Sequence, residues 1–308
     1  MRKTSLNQVY ELAKKDKRVL FIGSDLGPDV LLEMKKEMPN RFFMEGVSEQ
    51  YIIGMAAGLA LEGYIPYVNT IATFLTRRCF EQITTDLCLH NLPVRLIANG
   101  GGAVYAPLGP THLAIEDISI MRSLPNMTII SPCDAVEMKS VMQSTVNWPH
   151  PIYIRLGKGG DPIITEENQN FKIGKSVIKK YPKDALFIST GIMTQRALLV
   201  AEELEKEGLY CGVLHLPTIK PLDKENILSL IRNVSKVITL EENVYSGGFG
   251  SSILEICSDE MANHTNKIIR MAIPDKFSDR YGSQDQLLDY WGLGVKDIYN
   301  KMKKVLVK

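Results

Sequence analysis

The sequence predicts an α/β protein of two domains, each built on a largely parallel sheet flanked by helices. Short β-rich apolar runs alternate with amphipathic segments along the chain, which is the pattern of βαβ units. A polar, turn-rich stretch, "GKGGDPIITEENQNFKIG", interrupts the alternation between residues 157 and 174 and reads as a linker. The 308 residues suffice for two ordinary domains with sizeable cores. The expected division is 1–172 and 173–308.

The elements follow in order. "MRKTSLNQVYELAKKDK" is an amphipathic helix leading into the strand "RVLFIG". "RFFMEG" is a second strand, followed by a helix from Ser48 to about Leu61, which Ser48 is placed to cap. "PYVNTIAT" is a strand, and a helix runs through "CFEQITTDLCLH". "PVRLIANG", "MTIISP" and "PIYIRLG" are strands, separated by the helices "EDISIMRSL" and "DAVEMKSVMQSTV". Beyond the linker, "DALFIST" is a strand and "MTQRALLVAEELEKEG" a helix that Gly208 stops. "YCGVLHLP", "ENILSLIRNV", "KVITLEEN", "SGGFGSSILEICSDEM", "KIIRMAIP" and "GVKDIYNKMKKVLV" continue the alternation. "SGGFGSS" has the look of an anion nest, but reads as a turn before a helix.

Composition excludes several classes. Lys and Arg total 36 against 35 Asp and Glu, for a net charge of +1. No basic stripe or acidic tail points to nucleic acid or an anionic membrane. The N-terminal segment lacks the continuous apolar run of a signal peptide. The longest apolar stretch, "YIIGMAAGLALEGYIPYV", is broken by Glu62, glycines and a proline, so it is expected to be a buried helix rather than a membrane span. Five scattered cysteines without C-x-x-C suggest reduced, buried thiols and a cytoplasmic protein.

The loop "NGGGAVYAPLGPTH", Asn99 to His112, carries three consecutive glycines after a strand. No Gly-Lys-Ser/Thr closes it, and the Rossmann spacing fails because Tyr105 stands where the third glycine is needed. It is therefore not a nucleotide-phosphate loop of either kind.

Three groups of motifs carry a resemblance. "FFMEGVSEQYIIGMAAGLALEGYIPYV" resembles the pyrimidine-binding domain of transketolase-type thiamine diphosphate enzymes, and "LGPTHLAIEDISIMRSLPNMTIISPCDAVEM" resembles the segment that follows in that domain. "TIKPLD", "LEENVYSGGFGSSILE" and "IPDKFSDRYGSQDQLLDYWGL" resemble the C-terminal domain shared by transketolase and 1-deoxyxylulose-5-phosphate synthase. The resemblance covers nearly the whole chain. It implies that the glycine loop lies above the thiazolium of the cofactor and lines the substrate channel. Full-length enzymes of this kind begin with a diphosphate-binding domain carrying Gly-Asp-Gly and a later Asn, which hold Mg²⁺ and the diphosphate. Here the only Gly-Asp is Gly160–Asp161, followed by Pro162 in the linker. The chain thus resembles the C-terminal subunit of a split transketolase. The implied partner is an N-terminal subunit that carries the diphosphate and Mg²⁺ ligands, most simply in an α2β2 heterotetramer, with no nucleic acid or membrane partner.

By residue chemistry alone, Glu49 in a first helical turn is simply favourable with the helix dipole. The resemblance implies more. Glu49 would hydrogen-bond the aminopyrimidine ring nitrogen, favouring the tautomer that takes the proton from thiazolium C2. Phe74 in "TFLTRRCFEQ" would stack on the pyrimidine, Ile71 would form an apolar wall, and Asp25 in "GSDLGPD" would lie near the cofactor; Asp25 is equally suited to a turn beside Gly27 and Pro28. His112 would polarise a carbonyl or shuttle a hydroxyl proton. Arg155 in "YIRLGKG" would bind a substrate phosphate with its planar fork, or else close a strand as a salt-bridged residue. Tyr105 and one of Arg77 and Arg78, with Arg78 favoured, would line the substrate channel.

The loop also departs from the family. Ordinary transketolases carry a histidine near its start and an acidic pair before Gly-Pro-Thr-His; here Gly100 and Pro107–Leu108 stand there. Loss of groups that bond sugar hydroxyls relaxes or changes discrimination. The expected reaction is two-carbon ketol transfer between sugars, with a non-standard sugar as substrate. The β subunit of a 2-oxo acid dehydrogenase-type component shares the architecture but not the Gly-Pro-Thr-His-x-x-x-Glu-Asp segment. A catalytically silent regulatory paralogue would not need Glu49 and Phe74.

Overall fold

The computed structural model describes residues 1–24, 28–157, 159–167 and 169–307. The chain forms two compact units, one of residues 1–101 and 120–173, the other of residues 102–119 and 174–308. Each is an α/β unit with a mostly parallel sheet.

The first unit runs α1 (Arg2–Lys15), β1 (Val19–Gly23), α2 (Leu32–Glu37), β2 (Phe42–Met44), α3 (Glu49–Leu61), β3 (Ile65–Ile71), α4 (Phe80–Gln82) and β4 (Arg95–Asn99). α5 (Asp117–Arg122), which begins within the inserted segment 102–119, leads to β5 (Thr128–Ile130), α6 (Ala135–Thr145) and β6 (Ile152–Leu156). The strands lie in the order β5-β6-β4-β3-β1-β2, and all these neighbours are parallel. Every residue of β1, β3, β4 and β6 is buried. That is why these strands read as unbroken apolar runs: helices cover both faces of a parallel sheet. α1 packs on α6 and β1 through Leu6, Val9 and Leu12.

Asp134 caps α6, accepting from Val136 N and Glu137 N at 2.9 Å. Its other oxygen accepts from Ile164 N and Thr165 N at 2.8 Å, which pins the linker to the helix start. Burial alone would raise this carboxyl, but hydrogen bonds from the Glu137, Ile164 and Thr165 amides and the Thr165 hydroxyl overcome it and hold the pKa below its ordinary value. Asp134→Ala is therefore expected to cost about 2–4 kcal/mol, a cap plus charge-assisted bonds. A carboxylate with a depressed folded pKa stabilises above its unfolded value, near about 4, and loses that as pH falls through the folded value. Urea melts of both forms should show the gap at neutral pH and its narrowing below about pH 4. An unchanged gap at acid pH would refute the assignment.

Three local expectations are corrected. Ser48 stands at the N-cap of α3 but does not cap it; its hydroxyl donates to Glu45 O at 2.9 Å. The expected helix through "CFEQITTDLCLH" forms, but not as a regular α-helix: the short α4 continues directly into a wider, π-type helix over Ile83–Cys88, and another π-type stretch, Phe74–Arg78, precedes it. Threonine hydroxyls explain this. Thr76, Thr84 and Thr85 each donate to the carbonyl four residues back, at 2.8, 2.6 and 2.9 Å, and such bonds open a helix. Lastly, α3 is not buried all round. Tyr51 and Leu61 are 60% and 67% exposed, with exposed Gly54 and Gly58 between them. Among the described residues, no helix is long and apolar enough to cross a membrane.

The second unit begins with the excursion 102–119 and continues with β7 (Val177–Lys180), β8 (Ala185–Ser189), α7 (Met193–Glu205), β9 (Cys211–His215), β10 (Thr218–Lys220), α8 (Lys224–Arg232), β11 (Lys236–Val244), α9 (Phe249–Met261), β12 (Ile268–Ile273), α10 (Gln284–Tyr290) and α11 (Val295–Leu306). Its sheet has the order β12-β11-β8-β9-β7. All pairs are parallel except β7–β9, an antiparallel edge. The core joins Phe187, Val213 and Leu240 of the sheet to Val200, Trp291 and Met302 of the helices. The "SGGFGSS" turn leads into α9. Its amides are taken by the chain's own carboxylate: Phe249 N and Gly250 N donate to Glu241 at 2.6 and 2.7 Å.

Candidate functional site

Strand order in the first unit locates a topological switch point. From β1 the chain goes to β2 on one side and to β3 on the other, so the direction of winding reverses between β1 and β3. Ligands of open α/β sheets bind at the carboxyl ends of strands at such a switch point. Three strands deliver side chains there. Ser24 follows β1 and donates to Thr70 Oγ1 of β3 at 2.8 Å. Glu49 opens α3 after β2, and Phe74 lies three residues past β3.

Glu49, Phe74 and Arg78 come together. The Glu49 carboxylate is 2% exposed, and Arg78 Nη1 donates to its Oε2 at 2.6 Å while Arg78 itself is 44% exposed. The Arg78 guanidinium lies over the Phe74 ring, 4.4 Å from its centre. This is a cation–π contact, closed on its other edge by a charge-assisted hydrogen bond. The opened turn at Phe74–Arg78 sets the two side chains of this pair on one side of the segment. Burial, reinforced by the Glu49 charge and partly offset by Arg78, pushes the neighbouring Cys79 thiol up to about 12. Cys79 stays protonated at neutral pH and is no nucleophile.

This donor set fits the heterocyclic half of thiamine. A planar, cationic N–H donor already stacks on Phe74 and is held by a buried carboxylate. A protonated aminopyrimidine presents the same chemistry. Ile71, buried, ends β3 beside Asn99 of β4. Arg155 lies on β6, 5% exposed, with its side chain so close to Gly101 that a Cβ there would stand 2.5 Å from Arg155 Cγ. Gly160–Asp161 is a simple turn, in which Asp161 accepts from Gly159 N at 3.0 Å. Asp25 lies outside the described residues.

Tyr105 and His112 belong to the second unit, in the loop between Gly102 and Ala114. Both are half-buried, while Pro107 and Leu108 are exposed. Thr111 Oγ1 lies 2.9 Å from His112 Nδ1.

A layer of polar groups at the strand ends went unread in the sequence. Asn99 Nδ2 donates to Asn69 Oδ1 at 2.7 Å and to Thr70 O at 3.1 Å. Among the described residues, nothing donates to the buried Asn99 Oδ1, as for an acceptor awaiting a donor. The signal was available: "YVNTI" and "LIANG" place asparagines inside apolar strands.

The chain matches two family models in order, the transketolase pyrimidine-binding domain over residues 1–160 and the transketolase C-terminal domain over residues 174–298. It is 33% identical to a 6-deoxy-6-sulfo-D-fructose transketolase subunit of Clostridium sp. (strain MSTE9), over 99% of this chain and 94% of that one. It is 35% identical to 1-deoxy-D-xylulose-5-phosphate synthase of Listeria monocytogenes over 98% of this chain, but spans only 50% of that longer relative. Among solved structures it resembles a split-gene transketolase described as an inactive β4 tetramer, with TM-score 0.90 and 32% identity over 99% and 98% of the two chains. Two domain matches in sequence order and one likeness over the full length of a solved relative leave one conclusion: the chain belongs to the transketolase family.

Proposed function

We propose that this chain is one subunit of a heteromeric transketolase-type enzyme that moves a two-carbon ketol unit between sugars, using thiamine diphosphate and Mg²⁺. The observation that carries the proposal is the buried Glu49 carboxylate at the switch point, paired through a planar cation with the Phe74 ring. When bound, thiamine diphosphate supplies the nucleophilic carbon and the electron sink for carbon–carbon cleavage. Glu49 holds a proton at the aminopyrimidine ring nitrogen, Phe74 stacks on that ring, Ile71 walls it and Asp25 borders it. His112 polarises the substrate carbonyl or relays a hydroxyl proton. Arg155 binds an anionic group of the substrate, and Tyr105 and Arg78 line its path.

We assign residues 1–172 to the pyrimidine-binding domain and 173–308 to the C-terminal domain, with 102–119 as an excursion that joins the second compact unit. The diphosphate and Mg²⁺ ligands come from a partner subunit carrying Gly-Asp-Gly and Asn, in an α2β2 heterotetramer. Two observations support a missing partner. The structurally similar split-gene chain is described as inactive in its β4 form. The apolar outer face of α3, from Tyr51 to Leu61, is left exposed, and exposed apolar patches mark interaction sites. The five cysteines are buried thiols, in keeping with a cytoplasmic protein.

The substrate is a modified or deoxygenated sugar. Gly100, Pro107 and Leu108 supply no charged contact where ordinary transketolases have a histidine and an acidic pair. The family relative that acts on a sulfo-sugar is consistent with this. Each lost contact of that kind is worth about 1.5–3 kcal/mol, or roughly ten- to hundredfold in turnover. The reconstituted complex should therefore use xylulose 5-phosphate and ribose 5-phosphate at least about tenfold less efficiently than a ketose such as 6-deoxy-6-sulfo-D-fructose. Steady-state kinetics across a panel of both kinds decides it. A complex that handles the pentose phosphates as well as the modified sugars has some other group in place of the lost contacts, and the substrate assignment fails.

A further inference from the structure

Two segments of the second unit, "LEEN" and "RYGSQDQ", converge on the glycine loop. The loop is closed at its base by a reciprocal pair, Gly102 N to Ala114 O at 2.8 Å and Ala114 N to Gly102 O at 3.0 Å. The end of β11 grips both feet just beyond this pair. Glu242 Oε1 accepts from Ala103 N at 2.8 Å on the outgoing foot. Val244 N donates to Ile115 O at 2.7 Å on the returning foot. Glu242 is 2% exposed, and the same Oε1 accepts from Gln284 Nε2 at 2.8 Å, which ties the start of α10 to the loop. That helix start is itself fixed by a capping box between Ser283 and Gln286.

Two glycines make the close approach possible. Gly102 has φ +68°, and a Cβ there would overlap the Glu242 carboxylate. Gly109 has φ +79°, and a Cβ there would collide with the ring of Tyr281. Between these points the loop is a compact pair of turns. Ala106 N, Leu108 N, Gly109 N and His112 N each donate to the carbonyl three residues back. Ala103, Ala106, Leu113 and Ile115 are buried in the same core as Phe187 and Trp291. His112, one residue before Leu113, is thus carried on a frame whose outgoing foot is held by the buried Glu242 carboxylate.

We propose that Glu242 is a positioning residue: it fixes the pose of the 103–113 loop and, through it, of His112. The C-terminal domain then governs how the substrate is received, while the cofactor is held elsewhere. This rests on the function proposed above, in which His112 meets the substrate.

The test uses Glu242→Ala and Glu242→Gln in the full chain, alone and in the reconstituted complex. Hydrogen exchange by mass spectrometry should show amide protection over 103–114 falling at least tenfold in Glu242→Ala, with the peptide containing Glu49 unchanged. Glu242→Gln, which keeps an acceptor oxygen for Ala103 N, should retain more of that protection than the alanine variant. In the complex, KM for the sugar donor should rise at least tenfold in Glu242→Ala while the thiamine diphosphate Kd stays within twofold. Unchanged loop exchange overturns the proposal. So does a loosened loop with KM and kcat unmoved, since that is a merely structural role. If Glu242→Ala does not fold, Gln284→Ala removes one donor from the same oxygen and carries the same comparison with a smaller expected shift. A wild-type complex without ketol transfer would refute the proposed function, yet the exchange comparison would still decide whether Glu242 holds the loop.

Discussion

Glu49→Ala should leave the reconstituted enzyme assembled and lower its turnover about 10²–10⁴-fold, the range typical of a lost proton-transfer group. The two effects separate for a physical reason. Glu49 is the buried member of its ion pair, and Arg78 is 44% exposed. Removing the carboxylate leaves a cation that water can solvate, so the stability loss should be about 1 kcal/mol or less. Removing Arg78 instead would strand a buried charge, and such losses are larger. The direct measurement is hydrogen–deuterium exchange at thiamine C2 in the quenched complex, alongside a thermal melt. Near-normal exchange in the alanine variant would mean that another group activates the cofactor, and the role given to Glu49 would fall.

The second large effect concerns assembly. The isolated chain should bind thiamine diphosphate with a Kd weaker than about 1 mM, some 4 kcal/mol or less of binding, because the pyrimidine contacts alone are too few. Adding a subunit with Gly-Asp-Gly and Asn should bring micromolar, Mg²⁺-dependent binding, a change of three decades or more. Calorimetry on the chain alone, and then on the mixture, reads both values. Micromolar Mg²⁺-dependent binding to a preparation free of any second polypeptide would end the split-enzyme proposal.

Much of the architecture is written in local patterns. "RVLFIG", "PYVNTIAT", "PVRLIANG" and "PIYIRLG" are apolar because a doubly covered parallel sheet buries both faces, so the central strands of the first unit stand out at once. β7 does not stand out. It is a half-exposed edge with mixed polarity, "VIKK", paired on one side only. α10 was hidden inside a motif recognised for its resemblance, although Ser283 and Gln286 form a capping box that the sequence spells out. The short, opened turns around Thr76, Thr84 and Thr85 depend on hydroxyl hydrogen bonds, which apolar periodicity does not register.

At the site the balance is similar. The motifs "GVSEQ" and "TFLTRR" single out Glu49 and Phe74 in the sequence, and the structure brings both to Arg78. The partner of Glu242 was not legible. Ala103 and Glu242 are 139 positions apart, and nothing in either neighbourhood points to the other until the chain is folded. The same is true of Asn69 and Asn99, whose pairing follows only from the parallel register of β3 and β4.

The excursion of residues 102–119 has a consequence for synthesis. These residues leave the ribosome well before residues 174–308, yet Ala103, Ala106, Leu113 and Ile115 are part of the core those later residues build. A nascent chain therefore carries an apolar, glycine-rich loop with no core to enter until translation is nearly over, the kind of exposure that chaperones guard against. Gene dissection meets the same fact. A fragment starting at residue 174 encodes a unit stripped of Leu113 and Ile115, each worth about 1.5–3 kcal/mol of burial. A domain exchange between homologues has to move 102–119 together with the C-terminal half.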